Sequence, residues 1–181
     1  AKIAILGAGS ITFGPTLLND LLATEALAGS TYALMGPTLS KVQRVENYIR
    51  KLIDKNGIDA QIYSTTDRRD ALKDADYVIT ILSIGGMGAY KQDYEIPMKY
   101  GVDQCIGQCV GVGGVFRGIR TIPVMVDIMH DMEELCPSAV LLNYVNPMCA
   151  ISIGMGWSSD IPFVGLCHGI QTTLDLIAGY T

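Results

Sequence analysis

The stretch Lys2-Ile3-Ala4-Ile5-Leu6-Gly7-Ala8-Gly9-Ser10-Ile11-Thr12-Phe13 decides the fold. Residues 2–7 read as a strand that ends in two glycines spaced one apart. From Ile11 to Ala23 the period changes, and Leu17, Leu18, Leu21 and Leu22 fall on one helical side. Strand, glycine turn and helix, in that order, let backbone amides approach a pyrophosphate at a helix N-terminus. The third position of the usual G-x-G-x-x-G fingerprint holds Thr12. Alone, the motif therefore also fits a plain tight turn. Its place at the very first strand of an alternating series favours the dinucleotide reading.

That series continues along the chain. Thr31–Met35 predicts a second strand, and Leu39–Asn56 an amphipathic helix closed by Gly57. A third strand follows at Ala60–Ser64, then a short helix around Arg69–Lys73. Asp76–Ser83 is a continuous apolar run of the kind buried on both faces of a parallel sheet. Ile84–Gly118 is rich in glycine and poor in periodicity, and reads as a long functional loop with a short helix near Tyr94–Tyr100. A helix at Ile119–Leu135, a strand at Ala139–Tyr144, a helix after Pro147, a strand at Pro162–Leu166 and a helix from Ile170 complete the pattern. Six strands alternating with helices predict an α/β fold. The expectation is a Rossmann-like, doubly wound parallel sheet with helices on both faces and strand order 3-2-1-4-5-6, one dinucleotide-binding domain over residues 1–181.

Composition narrows the function classes. A net charge of −5 with no basic run argues against nucleic acid as a partner. No apolar run approaches the roughly 20 residues that a membrane span needs, so no membrane partner is expected. The five cysteines include no C-x-x-C pair, which suits reduced thiols in the cytoplasm.

One expected feature is missing. Dinucleotide sites usually place an acid at the end of the second strand, on the adenosine ribose. Here that strand runs into Gly36-Pro37, and no Asp or Glu occurs between Glu25 and Glu46. Lys41 and Arg44 lie just downstream. They read first as solvated helix residues, with a role toward the 2′-phosphate of NADP as the alternative.

Five segments together resemble one family: Gly7-Ala8-Gly9-Ser10-Ile11-Thr12-Phe13; Ile84-Gly85-Gly86; Gly111-Val112-Gly113-Gly114 running into Arg117-Gly118-Ile119-Arg120-Thr121-Ile122-Pro123; Asn143-Tyr144-Val145-Asn146-Pro147-Met148; and Gly165-Leu166-Cys167-His168. The chain resembles glycoside hydrolase family 4, and within it the α-galactosidase members, through Arg117–Pro123 and Leu141–Met148. The resemblance covers all 181 residues but about the first two-fifths of a typical member. It implies hydrolysis of a small-molecule glycoside with NAD and a divalent metal, by oxidation at C3 of the sugar, elimination, water addition and return of the hydride.

The resemblance also implies residue roles. Gly7, Gly9, Ser10, Ile11, Thr12, Phe13, Ser83 and Asn146 would bind the cofactor. Asn146, His168 and Gln108 would face the sugar, with His168 the candidate proton donor to the leaving oxygen. Cys167 would be a metal ligand, manganese being the usual ion and iron, cobalt or nickel alternatives for a thiolate site. On the residues alone, Cys167 equally fits a core thiol, Asn146 an ordinary Asn-Pro turn and His168 a helix-start histidine. The other histidine, His130, reads as structural. Gln108 departs from the family, which usually has an acid there, and an amide cannot transfer a proton as a carboxyl group can. Tyr90 stands where members acting on 6-phosphorylated sugars carry arginine, which implies an unphosphorylated sugar.

The family's second metal-ligand histidine and tyrosine base lie beyond Thr181. The chain is therefore expected to be the N-terminal, cofactor-binding part of a longer, homo-oligomeric enzyme and to be inactive alone. Two other readings stay open: a non-catalytic dinucleotide-binding module, favoured by the missing acids at Gly36 and Gln108, and a fragment of a lactate- or malate-type dehydrogenase.

Overall fold

A computed structural model describes residues 1–104, 108–167 and 169–180, with the backbone alone at Ile170 and Gln171. Its elements are β1 (Lys2–Leu6), α1 (Phe13–Ala23), α2 (Glu25–Ala28), β2 (Thr31–Met35), α3 (Leu39–Asn56), β3 (Gln61–Thr65), α4 (Arg68–Leu72), β4 (Tyr77–Thr80), α5 (Gly86–Met98), α6 (Gly111–Leu135), β5 (Val140–Asn143), α7 (Met148–Ser158), β6 (Phe163–Gly165) and α8 (Gly169–Ala178). All pairings are parallel, in the order β3-β2-β1-β4-β5-β6. The fold class and strand order match those expected from the sequence.

Strand alternation divides the interior into two cores. Ala4, Leu6, Ala33, Val78 and Leu141 point to one face, where they meet Met125, Ile128, Met129 and Met132 of α6 and Ile151 and Met155 of α7. Ile3, Ile5, Tyr32, Leu34 and Ile79 point to the other, against Leu18 and Leu22 of α1 and Val42, Val45, Ile49 and Ile53 of α3. The register supports this split, with Ile3 beside Tyr32 on one side and Tyr77 on the other. Each fully buried side chain of this size contributes about 1.5–3 kcal/mol. The central strands are thus covered on both sides, as their unbroken apolar runs require. Among the described residues no helix is long and apolar enough to cross a membrane.

The main departure from the sequence reading lies between residues 84 and 118. The expected loop is mostly helix: α5 spans Gly86–Met98, and α6 begins at Gly111 rather than Ile119. Glycine disfavours helix by about 1 kcal/mol relative to alanine, which is why the sequence pattern points away from one. Tertiary packing overrides that preference. A Cβ on Gly114 would stand 2.9 Å from the Cys109 carbonyl carbon, so only glycine lets the incoming chain lie against the helix. Gly118 faces Pro147 and Ala150 across the α6–α7 contact at ordinary distances of 3.5 and 3.9 Å.

The two glycines should therefore respond oppositely to alanine. Gly114→Ala is expected to destabilise the fold by about 1–3 kcal/mol through overpacking. Gly118→Ala, which fits its space, should stabilise by roughly 0.5–1 kcal/mol through helix propensity. Urea unfolding midpoints check the signs, and equal shifts for both would contradict the packing account.

Candidate active site

Open α/β sheets bind ligands outside the carboxyl ends of their strands, where the strand order reverses. Here a groove of about 830 Å³ lies at that edge, running from Gly36, Pro37 and Thr38 after β2, across Gly7, Gly9 and Ser10 after β1, to Asn146, Leu166 and Cys167 after β5 and β6. Its floor includes Ile81–Ile84 beyond β4, and Val124 and Ile128 of α6 form part of its wall.

The glycine turn is built by close approach. Gly7 has φ +96°, and a Cβ there would sit 2.7 Å from the Ile81 carbonyl oxygen. The N–H groups of Gly7 and Ala8 both donate to Met35 O, at 2.9 and 3.0 Å, tying the turn to the end of β2. Phe13 N–H donates to Ser10 Oγ at 3.3 Å. The N–H groups of Ile11 and Thr12 meet no acceptor among the described residues. Such unpaired amides ahead of a helix suit an anionic oxygen, and a cradle that a Cβ would fill suits a dinucleotide diphosphate.

Polar side chains organise the opposite end. Buried Asn143 accepts from Thr80 Oγ1 at 3.0 Å and from Val145 N–H at 2.9 Å, and its amide donates to Val145 O. That pins the turn carrying Asn146, which is joined to Pro147 by a cis peptide bond. Arg117 of α6 reaches the same place: Nε donates to Asn146 O at 2.9 Å and Nη1 to Gln108 Oε1 at 3.1 Å. One helical turn on, Arg120 donates through Nε to Ile84 O at 3.1 Å and grips Asp93 of α5 with both Nη atoms, at 3.0 and 2.5 Å. Asp93 is 3% exposed, and this bidentate pair joins α5 to α6 beneath the groove. Burial holds the Arg117 guanidinium below its ordinary pKa, and the like charge of Arg120 adds to the effect. Burial likewise raises the Cys109 thiol, with Cys167 contributing in the same direction.

Of the residues singled out in the sequence, Gly7, Gly9, Ser10, Phe13, Ser83, Gln108, Asn146 and Cys167 all line this one groove. Ile11 and Thr12 lie outside its lining, and the Ile11 side chain is 72% exposed. His168 falls outside the described residues. His130 is exposed on α6, away from the groove. Lys41 lines the groove and Arg44 does not. Sequence reasoning assigned no role to Arg68, Arg117 or Tyr144, all in the lining. Arg117 was quoted within a motif, but its contacts with residues 9 and 29 positions away had no local signal. Cys167 is exposed, and among the described residues no group of three or more His, Cys, Asp or Glu could hold a metal ion. A metal centre is thus not completed by these residues.

A family model described as family 4 glycosyl hydrolase matches residues 2–180. The chain belongs to that family. An α-galactosidase of Bacillus subtilis (strain 168) is 43% identical over 180 residues, covering 97% of this chain and 41% of that protein. An α-galactosidase of Rhizobium meliloti (strain 1021) is 39% identical over 178 residues, covering 98% of this chain and 36% of that one. The chain therefore spans about two-fifths of the length of these relatives. Among solved structures, a 6-phospho-β-glucosidase from Thermotoga maritima with manganese, NAD⁺ and glucose-6-phosphate superposes with a TM-score of 0.85 at 26% identity, over 98% of this chain and 42% of that one.

The Asp93–Arg120 pair should behave as a partly buried ion pair. Asp93→Asn leaves the guanidinium, 28% exposed, without its counter-charge and is expected to cost about 1–3 kcal/mol. Replacing both partners, as Asp93→Leu with Arg120→Met, should recover most of that loss. Denaturant unfolding of the single and double variants checks it; a single variant within about 0.5 kcal/mol of the parent would show that the pair is not a structural tie.

Proposed function

We propose that this chain is the cofactor-binding part of a family 4 glycosidase acting on α-galactoside-type sugars, with NAD⁺ in the groove and the sugar at its Asn146–Cys167 end. The observation that carries this reading is the continuity of the groove: one cleft joins the glycine turn to Asn146, Gln108 and Cys167. A nicotinamide held there would supply reversible hydride acceptance from a sugar carbon.

The chain's own groups divide the remaining work. The unpaired Ile11 and Thr12 amides, at the start of α1, receive the diphosphate, so these two residues act through backbone although their side chains lie elsewhere. Asn146 gives its carbonyl to Arg117, while its side-chain amide has no partner among the described residues and is free to orient sugar hydroxyls. Gln108 accepts from Arg117 through Oε1, which leaves its NH₂ as donor to the substrate. It can therefore hold a sugar oxygen but not carry a proton. His168 follows Cys167 in sequence and is proposed as the polar group that protonates the leaving oxygen.

Cys167 would offer its sulfur to a divalent ion, whose other ligands are not supplied by the described residues. Tyr90, in place of an arginine, supports an unphosphorylated sugar. The family resemblance supports a longer, homo-oligomeric enzyme, and the free thiols suit a reducing, cytoplasmic setting.

Calorimetric titration of the 181-residue chain with NAD⁺ tests the reading. Saturable binding is expected. Valine at Gly9, whose Cβ would lie 3.2 Å from Lys41 Cβ at the groove, should weaken it at least about tenfold, roughly 1.4 kcal/mol. A folded chain that fails to bind NAD⁺ would overturn the proposal.

A further inference from the structure

The chain carries 18 acidic and 13 basic residues, yet among the described residues its groove is lined by Lys41, Arg68 and Arg117 and by no Asp or Glu. Charge is segregated: a protein of net −5 presents a cationic cleft. The diphosphate of a dinucleotide accounts for anion binding at the glycine turn, and Arg117 is engaged with Gln108 and Asn146 at the sugar end. Neither explains Lys41, in the first turn of α3 after β2, or Arg68, which opens α4 after the neighbouring β3; both line the groove together with Gly36, Pro37 and Thr38.

We propose that this end of the groove receives a 2′-phosphate, so that the chain binds NADP⁺ as well as NAD⁺, with Lys41 and Arg68 as the recognising groups. The inference rests on the dinucleotide reading above and goes beyond it. Selection for NAD works by a carboxylate at the end of the second strand that bonds the ribose 2′-hydroxyl and repels a phosphate there. Gly36 supplies none. Nor is there room for one, because a Cβ at Gly36 would stand 2.8 Å from Val42 Cγ2.

What surrounds the gap is suited to an anion. Arg68 is held in place by Asp131 of α6, which accepts from Nε and Nη2, and Nη1 has no partner among the described residues. Asp131 and Glu134 together balance Arg68 and Arg69. Lys41 therefore carries the uncompensated charge, and its amine makes no hydrogen bond or ion pair among the described residues. Thr38, the N-cap of the 18-residue α3, makes no side-chain cap hydrogen bond, so its hydroxyl is also available toward the groove. Arg44, on the same helix, lies outside the lining.

Parallel titrations of the 181-residue chain with NAD⁺ and NADP⁺ test the assignment. The two dissociation constants should lie within about threefold of each other, with NADP⁺ the more salt-sensitive because of its added charge. Lys41→Glu, at an exposed position, should shift the NADP⁺/NAD⁺ affinity ratio against NADP⁺ by about tenfold or more. Arg68→Gln should shift it in the same direction, and circular dichroism will show whether loss of its Asp131 contact has disturbed the fold. Binding of NAD⁺ with NADP⁺ weaker by about thirtyfold, or an unchanged ratio in folded Lys41→Glu, overturns the inference and leaves the function standing. Failure of both nucleotides to bind overturns the proposed function itself, and this assignment with it.

Discussion

Between the position that a Cβ would take on Gly7 and the carbonyl oxygen of Ile81 there are 2.7 Å. No side chain fits in that gap, and the backbone at Gly7 has φ +96°, where L-residues are strained. The carboxyl ends of β1 and β4 can therefore meet directly. The adjoining amides of Gly7 and Ala8 converge on Met35 O and draw in the end of β2. Three strand ends are gathered at one point, and the chain leaves it with the Ile11 and Thr12 amides unspent ahead of α1. The groove's middle exists because of that convergence.

From this point the site depends increasingly on side chains brought from far along the chain. Asn143 shapes the Asn146 turn from within the sheet, while Arg117 and Arg120 reach outward from α6. The second arginine, locked to Asp93, holds the backbone at Ile84; the first spans Gln108 and Asn146. This end of the groove is thus held in shape by a pair of guanidinium groups one helical turn apart.

The sequence made the sheet legible because β1, β2 and β4 are buried on both faces and announce themselves as unbroken apolar runs. The glycine turn was legible for the same reason, since its position after the first strand removes most alternatives. The helices at Gly86–Met98 and Gly111–Gly118 were not, because Gly86 and Gly111 enter them at positive φ while Gly114 admits the close approach of Cys109, and propensity cannot distinguish the two uses. The bond between Arg117 and Asn146 spans 29 positions, and that between Arg120 and Asp93 spans 27. Such ties have no local pattern. The cationic lining was hidden in the same way, since an acidic composition says nothing about which charges a fold gathers.

Helix α6 runs for 25 residues behind the groove, with Arg117 near one end and Asp131, which steadies Arg68, near the other. These two positions are 14 residues apart, or about 21 Å along the axis at 1.5 Å per residue. The helix thus acts as a ruler laid along the cleft, setting the separation between its Arg117 end and its Arg68 end. Its unit is one residue and about 100° of rotation. A single insertion between residues 117 and 131 would lengthen the ruler only slightly but turn one end away from the groove. Gain or loss of length in this helix is therefore constrained by phase far more tightly than by distance.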